Sequence, residues 1–98
     1  AGTKIKAAEA LSLGLVNAVY PSEELLPAAE KLAGKIAANA PIAVRATKKA
    51  VNDGLQVDID AAIAIEEKLF GSCFETEDQR NAMNAFVAKE KPAPFVNK

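Results

Sequence analysis

The feature that most constrains this chain is a helix-then-stop unit near its beginning, Ala8-Glu9-Ala10-Leu11-Ser12-Leu13-Gly14-Leu15-Val16-Asn17-Ala18-Val19. Ala8, Leu11 and Leu15 fall at helical spacing, and Gly14 stands where a helix closes in the left-handed conformation that glycine adopts without a steric penalty. Leu15 is then expected to fold back on the preceding turn as the hydrophobic contact of such a stop. Val16 to Tyr20 alternates as a short strand does, with Pro21 ending it. Two apolar faces in so short a stretch need a partner surface, so the unit is expected to be a remnant of a larger core.

After Pro21 the pattern is helical. Ser22 is placed to cap a helix whose first turn carries Glu23 and Glu24, acidic residues favoured at the positive end of the helix dipole. Pro27, one turn in, either separates that turn or forgoes one backbone bond. Leu25, Ala29, Leu32, Ala33 and Ile36 form an apolar stripe that should stop near Asn39. Pro41 suits the first position of the next helix, with Ile42, Ala46, Ala50 and Val51 on one face and Gly54 as its stop. Asp58 is expected to cap a third long helix with Ile59, Ala62, Ile63, Leu69, Phe70 and Cys73 inward, and Gly71 within it suggests close approach to another backbone. Thr76-Glu77-Asp78-Gln79 has the spacing of a capping box, opening a last helix that ends before Pro92 and Pro94. Phe95, in that proline-flanked tail, is either docked or disordered.

Several function classes are excluded by what the chain lacks. A formal net charge of −1 over 98 residues argues against a nucleic-acid binder, which would carry a basic stripe. No apolar run approaches the roughly 18–20 residues of a membrane span, and no secretory signal opens the sequence. A single cysteine, Cys73, makes no internal disulfide and fits a reducing cytoplasm. With no histidine, triads built on a histidine base and histidine-ligated metals are absent.

The carboxylates invite an acid–base reading, but their spacing opposes it. Glu66 and Glu67 are adjacent, so on a helix they point about 100° apart and do not converge on one atom. Glu77 and Asp78 sit where a helix N-terminus favours negative charge anyway. Glu66 falls near the apolar face, which suggests a buried or interfacial ion pair with Arg45 or Arg80. Cys73, on an apolar face, reads as packing rather than as a nucleophile.

Taken in order, Ala7, Ala10, Gly14, Leu15, Val16 and Val19, then Asn39-Ala40-Pro41-Ile42-Ala43, Glu66-x-x-Leu69-Phe70-x-x-Cys73-Phe74, Thr76-Glu77-Asp78 and Ala85-Phe86-x-x-Lys89 form a series of short motifs covering nearly the whole chain. This series resembles the C-terminal region of the crotonase (enoyl-CoA hydratase) superfamily, in particular short-chain enoyl-CoA hydratases and 3-hydroxybutyryl-CoA dehydratases. The sequence departs from the family's pattern at Asn81-Ala82, where Glu-Gly is usual, at Glu90, where many members carry Arg, and at Lys6, where Ser is common.

The resemblance implies a mainly α fold, the C-terminal helical trimerisation domain (21–98) of the crotonase fold, with a short helix–strand remnant of its αβ core (1–20). It implies a cytoplasmic parent hydro-lyase that reversibly hydrates 2-enoyl-CoA, using two glutamates and a backbone oxyanion hole that lie upstream of Ala1. No catalytic residue and no metal ligand is therefore assigned here, and the chain alone is expected to be inactive. The implied partners are further copies, as a trimer or a dimer of trimers, and the acyl-CoA, whose thioester is substrate, with no separate cofactor. By alignment Phe70 is implied as an aromatic platform for adenine and Lys89 as a contact to a CoA phosphate, with Lys91 a weaker phosphate candidate. Packing alone accounts for Phe70 equally well, and simple solvation for Lys89. Two alternatives stay open: the tail of another crotonase-family enzyme (isomerase, decarboxylase or thioester hydrolase), or a free-standing helical interaction module.

Overall fold

Helix α1 (Ala7–Ser12) closes through a double hydrogen bond that the sequence around Gly14 dictates. In the computed structural model, which describes residues 1–98, Gly14 adopts φ +74°. Its N–H donates to the Leu11 carbonyl at 3.0 Å and the Leu15 N–H reaches back to the Ala10 carbonyl at 2.9 Å, the two bonds of a Schellman stop. The expected hydrophobic contact does not accompany them, because the Leu15 side chain is 71% exposed. Nor is there a strand: Val16–Tyr20 is irregular, as no partner strand offers its backbone a ladder. Lys6 precedes α1 without any side-chain capping bond.

α2 (Ser22–Ala37) begins with Ser22 already helical, and the Pro21 carbonyl accepts from the N–H groups of Glu24 and Leu25. Pro27 lies inside the helix without ending it. Its place near the N-terminus limits the loss to one backbone bond. Two compact units divide the chain, Ala1–Lys35 and Ile36–Lys98.

The second unit is built on a helical hairpin. α3 (Pro41–Gly54) starts with proline at its first position. α4 (Ile59–Cys73) starts at Asp58, whose carboxylate accepts from the Ala61 N–H at 3.0 Å. The four residues between them return the chain as an antiparallel pair. Gly54 is the last residue of α3 and Leu55 after it stays right-handed, so no left-handed turn ends the helix; a methyl at Gly54 would stand 3.4 Å from Ala62 Cβ, an ordinary contact. Gly71, the glycine expected to be tight, has open space around it. α5 (Glu77–Ala88) is capped by Thr76, whose Oγ1 accepts from the Gln79 N–H at 3.1 Å. The return bond of a capping box is not made, since the Thr76 N–H donates instead to the Cys73 carbonyl.

Little of this is buried. Ala10 is the one hydrophobic residue in the buried class, and the inward faces expected of α2 and α4 are half or more exposed at Leu25, Leu32, Ile59 and Phe70. The accessible surface is 8267 Å². The periodicity that makes these helices amphipathic is present, but the surface that would cover their apolar faces is not in this chain.

Candidate functional site

Two surfaces of the second unit hold the residues singled out by sequence. The first is an apolar groove of about 630 Å³ along the α3–α4 hairpin, walled by small residues of α3 such as Ala43, Ala46 and Ala50 and by Ile63, Leu69 and Phe70 of α4. Alanines at i, i+3 and i+7 leave the α3 side shallow, so the larger side chains of α4 stand proud of it. Phe70 is 66% exposed and meets Phe74 edge-to-face, with ring centroids 5.2 Å apart. Glu66 lines this groove and is exposed, so the buried ion pair expected of it is not formed. Arg45, one of its expected partners, donates instead to Asn97 Oδ1 at 2.7 Å. Cys73 is half-buried, with its Sγ 3.4 Å from the Leu69 carbonyl.

The second surface is the end of α5 with the tail that follows. Lys89 lies just past Ala88 at φ 57°, ψ 37°, the left-handed conformation. Its N–H donates to the Phe86 carbonyl at 3.1 Å, and the Glu90 N–H donates to the Ala85 carbonyl at 2.8 Å. This is the same stop as at Gly14, here made with a lysine. A side chain in that conformation costs roughly 1 kcal/mol that glycine would avoid. One turn earlier Phe86, part of the Ala85-Phe86-x-x-Lys89 motif, is 78% exposed. The sequence reading missed this ring, because i, i+3 periodicity marks an apolar face without saying whether anything covers it. Lys91 lines a separate groove together with Phe95. Phe70 and Lys89 are not brought together: the α3–α4 groove includes neither Lys89 nor Phe86.

The remaining carboxylates do not assemble a reactive pair. Asp78 is 2% exposed and both its oxygens accept backbone N–H groups. Asp53 pairs with Lys49 at 2.6 Å on the surface, an i, i+4 contact worth little. No three His, Cys, Asp or Glu side chains converge as a metal site, and no helix is long and apolar enough to cross a membrane. What the geometry offers is an apolar groove, an exposed ring and a lysine on a held backbone. Each of these is a means of binding.

The family model described as enoyl-CoA hydratase/isomerase matches residues 1–97. The chain belongs to the enoyl-CoA hydratase/isomerase family. Within this crotonase superfamily it is 52% identical over 94 residues to the short-chain-enoyl-CoA hydratase of Clostridium acetobutylicum, and 50% identical over 94 residues to the crotonyl-CoA hydratase of Syntrophomonas wolfei. Each match takes in 96% of this chain and 36% of the relative, so the chain spans about a third of their length. Among solved structures, an enoyl-CoA hydratase from Geobacillus kaustophilus superposes with a TM-score of 0.90 at 33% identity, over 99% of this chain and 36% of that one. A second form from the same organism gives a TM-score of 0.87 at 37% identity, over 99% and 37%. This family member therefore keeps the family's helices while its apolar faces stand uncovered.

Proposed function

We propose that this chain is the C-terminal helical portion of a short-chain enoyl-CoA hydratase that interconverts a 3-hydroxyacyl-CoA and its 2-enoyl-CoA, 3-hydroxybutyryl and crotonyl above all. The observation that carries the reading is the half-identity to a short-chain-enoyl-CoA hydratase and a crotonyl-CoA hydratase along 96% of the chain. In this reading the chain makes no bonds in the substrate. It packs subunits of a cytoplasmic trimer or dimer of trimers and covers part of the CoA.

The division of labour follows from the two surfaces. The α3–α4 groove and the exposed stripe of α2 are packing faces. The end of α5 is the ligand rim. A CoA phosphate is met by the Lys89 ammonium as a point charge, and an adenine ring by an exposed aromatic face. Phe70 keeps one ring face open beside Phe74, and Phe86 stands one turn from Lys89. Holding Lys89 in a left-handed turn removes much of the backbone freedom that an ordered cation would otherwise lose on binding.

The test is steady-state hydration of crotonyl-CoA by the complete enzyme. Lys89→Ala is expected to raise KM roughly five-fold at low salt with kcat retained, as for an exposed charge contact of about 1 kcal/mol. An unchanged KM at low salt would remove Lys89 from the rim. A complete enzyme that does not hydrate crotonyl-CoA would overturn the activity itself.

A further inference from the structure

We infer that Asp78 is a positioning residue for the CoA rim, acting by clasping the end of the tail that begins at Lys89. The inference rests on the rim reading of Lys89 given above, and gives Asp78, so far read only as a favourable charge at the start of α5, a partner in the tail.

Asp78 is the most deeply buried side chain of the chain. A carboxylate is costly to take from water unless its oxygens are fully hydrogen-bonded, and here they are. The Val96 N–H donates to Oδ1 at 2.7 Å and the Asn97 N–H to Oδ2 at 2.9 Å. The Asp78 N–H, one of the orphan donors at the start of α5, donates to the Lys98 carbonyl at 3.0 Å. Three consecutive tail residues are thus held by one residue of the helix. Asn97 adopts φ 62°, which asparagine tolerates better than most residues. That turn presents its side-chain oxygen to Arg45 of α3 at 2.7 Å.

The other end of the same tail is the Lys89 stop, locked by the Lys89 and Glu90 N–H bonds to α5. The segment between Lys89 and Asn97 is therefore tied at both ends. α5 is about 18 Å long at 1.5 Å per residue, and eight residue steps of extended chain reach about 26 Å. The tail has to double back along its own helix, using about two-thirds of its extended reach. Pro92 and Pro94 fix two of its φ angles and restrict the residues before them, so it behaves as a semi-rigid strap rather than a tether. Its Lys91–Phe95 stretch forms one wall of a groove of about 680 Å³, opposite Ala37, Ala38, Asn39 and Pro41. Releasing the clasp at Asp78 frees the backbone at Lys91 and leaves the left-handed stop at Lys89 held by its own two backbone bonds alone, so the backbone that presents both ammoniums is less constrained.

A role in stability alone predicts a different outcome from a role in positioning, and the complete enzyme separates them. Asp78→Asn preserves shape but offers one acceptor to two N–H donors. Asn97→Pro ejects the strap without altering α5, since proline has no N–H and is locked at negative φ. Both variants are expected to speed hydrogen exchange at the Val96 amide at least ten-fold and to raise KM for the CoA ester about three-fold or more, with kcat within two-fold of the parent. Asn97→Gly, which keeps the amide clasp and loses only the Arg45 bond, should leave KM close to normal. Lys89→Ala run in parallel tests the rim reading separately: if its KM is unchanged, that reading fails. If Lys89→Ala raises KM while Asp78→Asn and Asn97→Pro free the tail with KM unchanged, the inference about Asp78 is overturned.

Discussion

Gly54 of α3 and Ala62 of α4 face one another with room for one methyl group, which on Gly54 would stand 3.4 Å from Ala62 Cβ. The α3–α4 hairpin is closed at that end by two small residues, and the glycine is not needed for its backbone angles. Gly14 is the opposite case, with open space around it and φ +74°.

That contrast separates what glycine does at different sites. Gly71→Ala, in the last turn of α4 with open space around it, should stabilise by about 0.5 kcal/mol through helix propensity. Gly54→Ala should be tolerated, its methyl resting on Ala62. Gly14→Ala should destabilise α1 by about 1 kcal/mol, because an L side chain is strained there. Circular dichroism of the 98-residue chain during thermal unfolding checks all three. A stabilising Gly14→Ala would contradict the left-handed stop.

Lys89→Gly tests whether the left-handed lysine is kept for its charge. Glycine removes the conformational cost, so stability should rise by about 1 kcal/mol. KM for the CoA ester should rise as it does for Lys89→Ala. Thermal unfolding and steady-state kinetics on one variant then move in opposite senses. A variant both more stable and unaltered in KM would leave the lysine without a reason.

The side-chain caps are predicted to act locally. Thr76→Ala removes the acceptor for the Gln79 N–H, and Asp58→Ala that for the Ala61 N–H. Each should cost about 1 kcal/mol. Amide exchange should quicken at Gln79 in the first and at Ala61 in the second, with little change at the other helix.

How far the sequence revealed this arrangement depends on the range of the interactions. Several features set within four or five residues were legible, namely the Gly14 stop, proline opening α3, and the Asp58 and Thr76 caps, whereas Ser22 lies inside α2 rather than capping it and Leu15 does not fold back. Features set by distant chain were not. Val16–Tyr20 has the alternation of a strand, but a strand needs a neighbour to bond with. Leu32, Ile59 and Phe86 have helical periodicity, yet periodicity says which face is apolar and not whether it is covered. The Asp78 clasp joins residues 18 and 19 positions apart through backbone N–H groups, which every residue but proline carries, so no side-chain motif marks it. Arg45 was weighed as a partner for Glu66 on charge alone, and geometry gave it to Asn97 instead. The rim candidates Phe70 and Lys89 came from resemblance to a family, and the structure sets them on different surfaces.

The account turns on whether the apolar faces of α2 and of the α3–α4 groove are made to be covered by other protein. Sedimentation velocity of the 98-residue chain at two concentrations an order of magnitude apart tests this most directly. The account predicts a sedimentation coefficient that rises with concentration as exposed faces on separate copies find one another. A monomer at both concentrations, with Leu32, Ile59 and Phe86 protected from solvent, would contradict it.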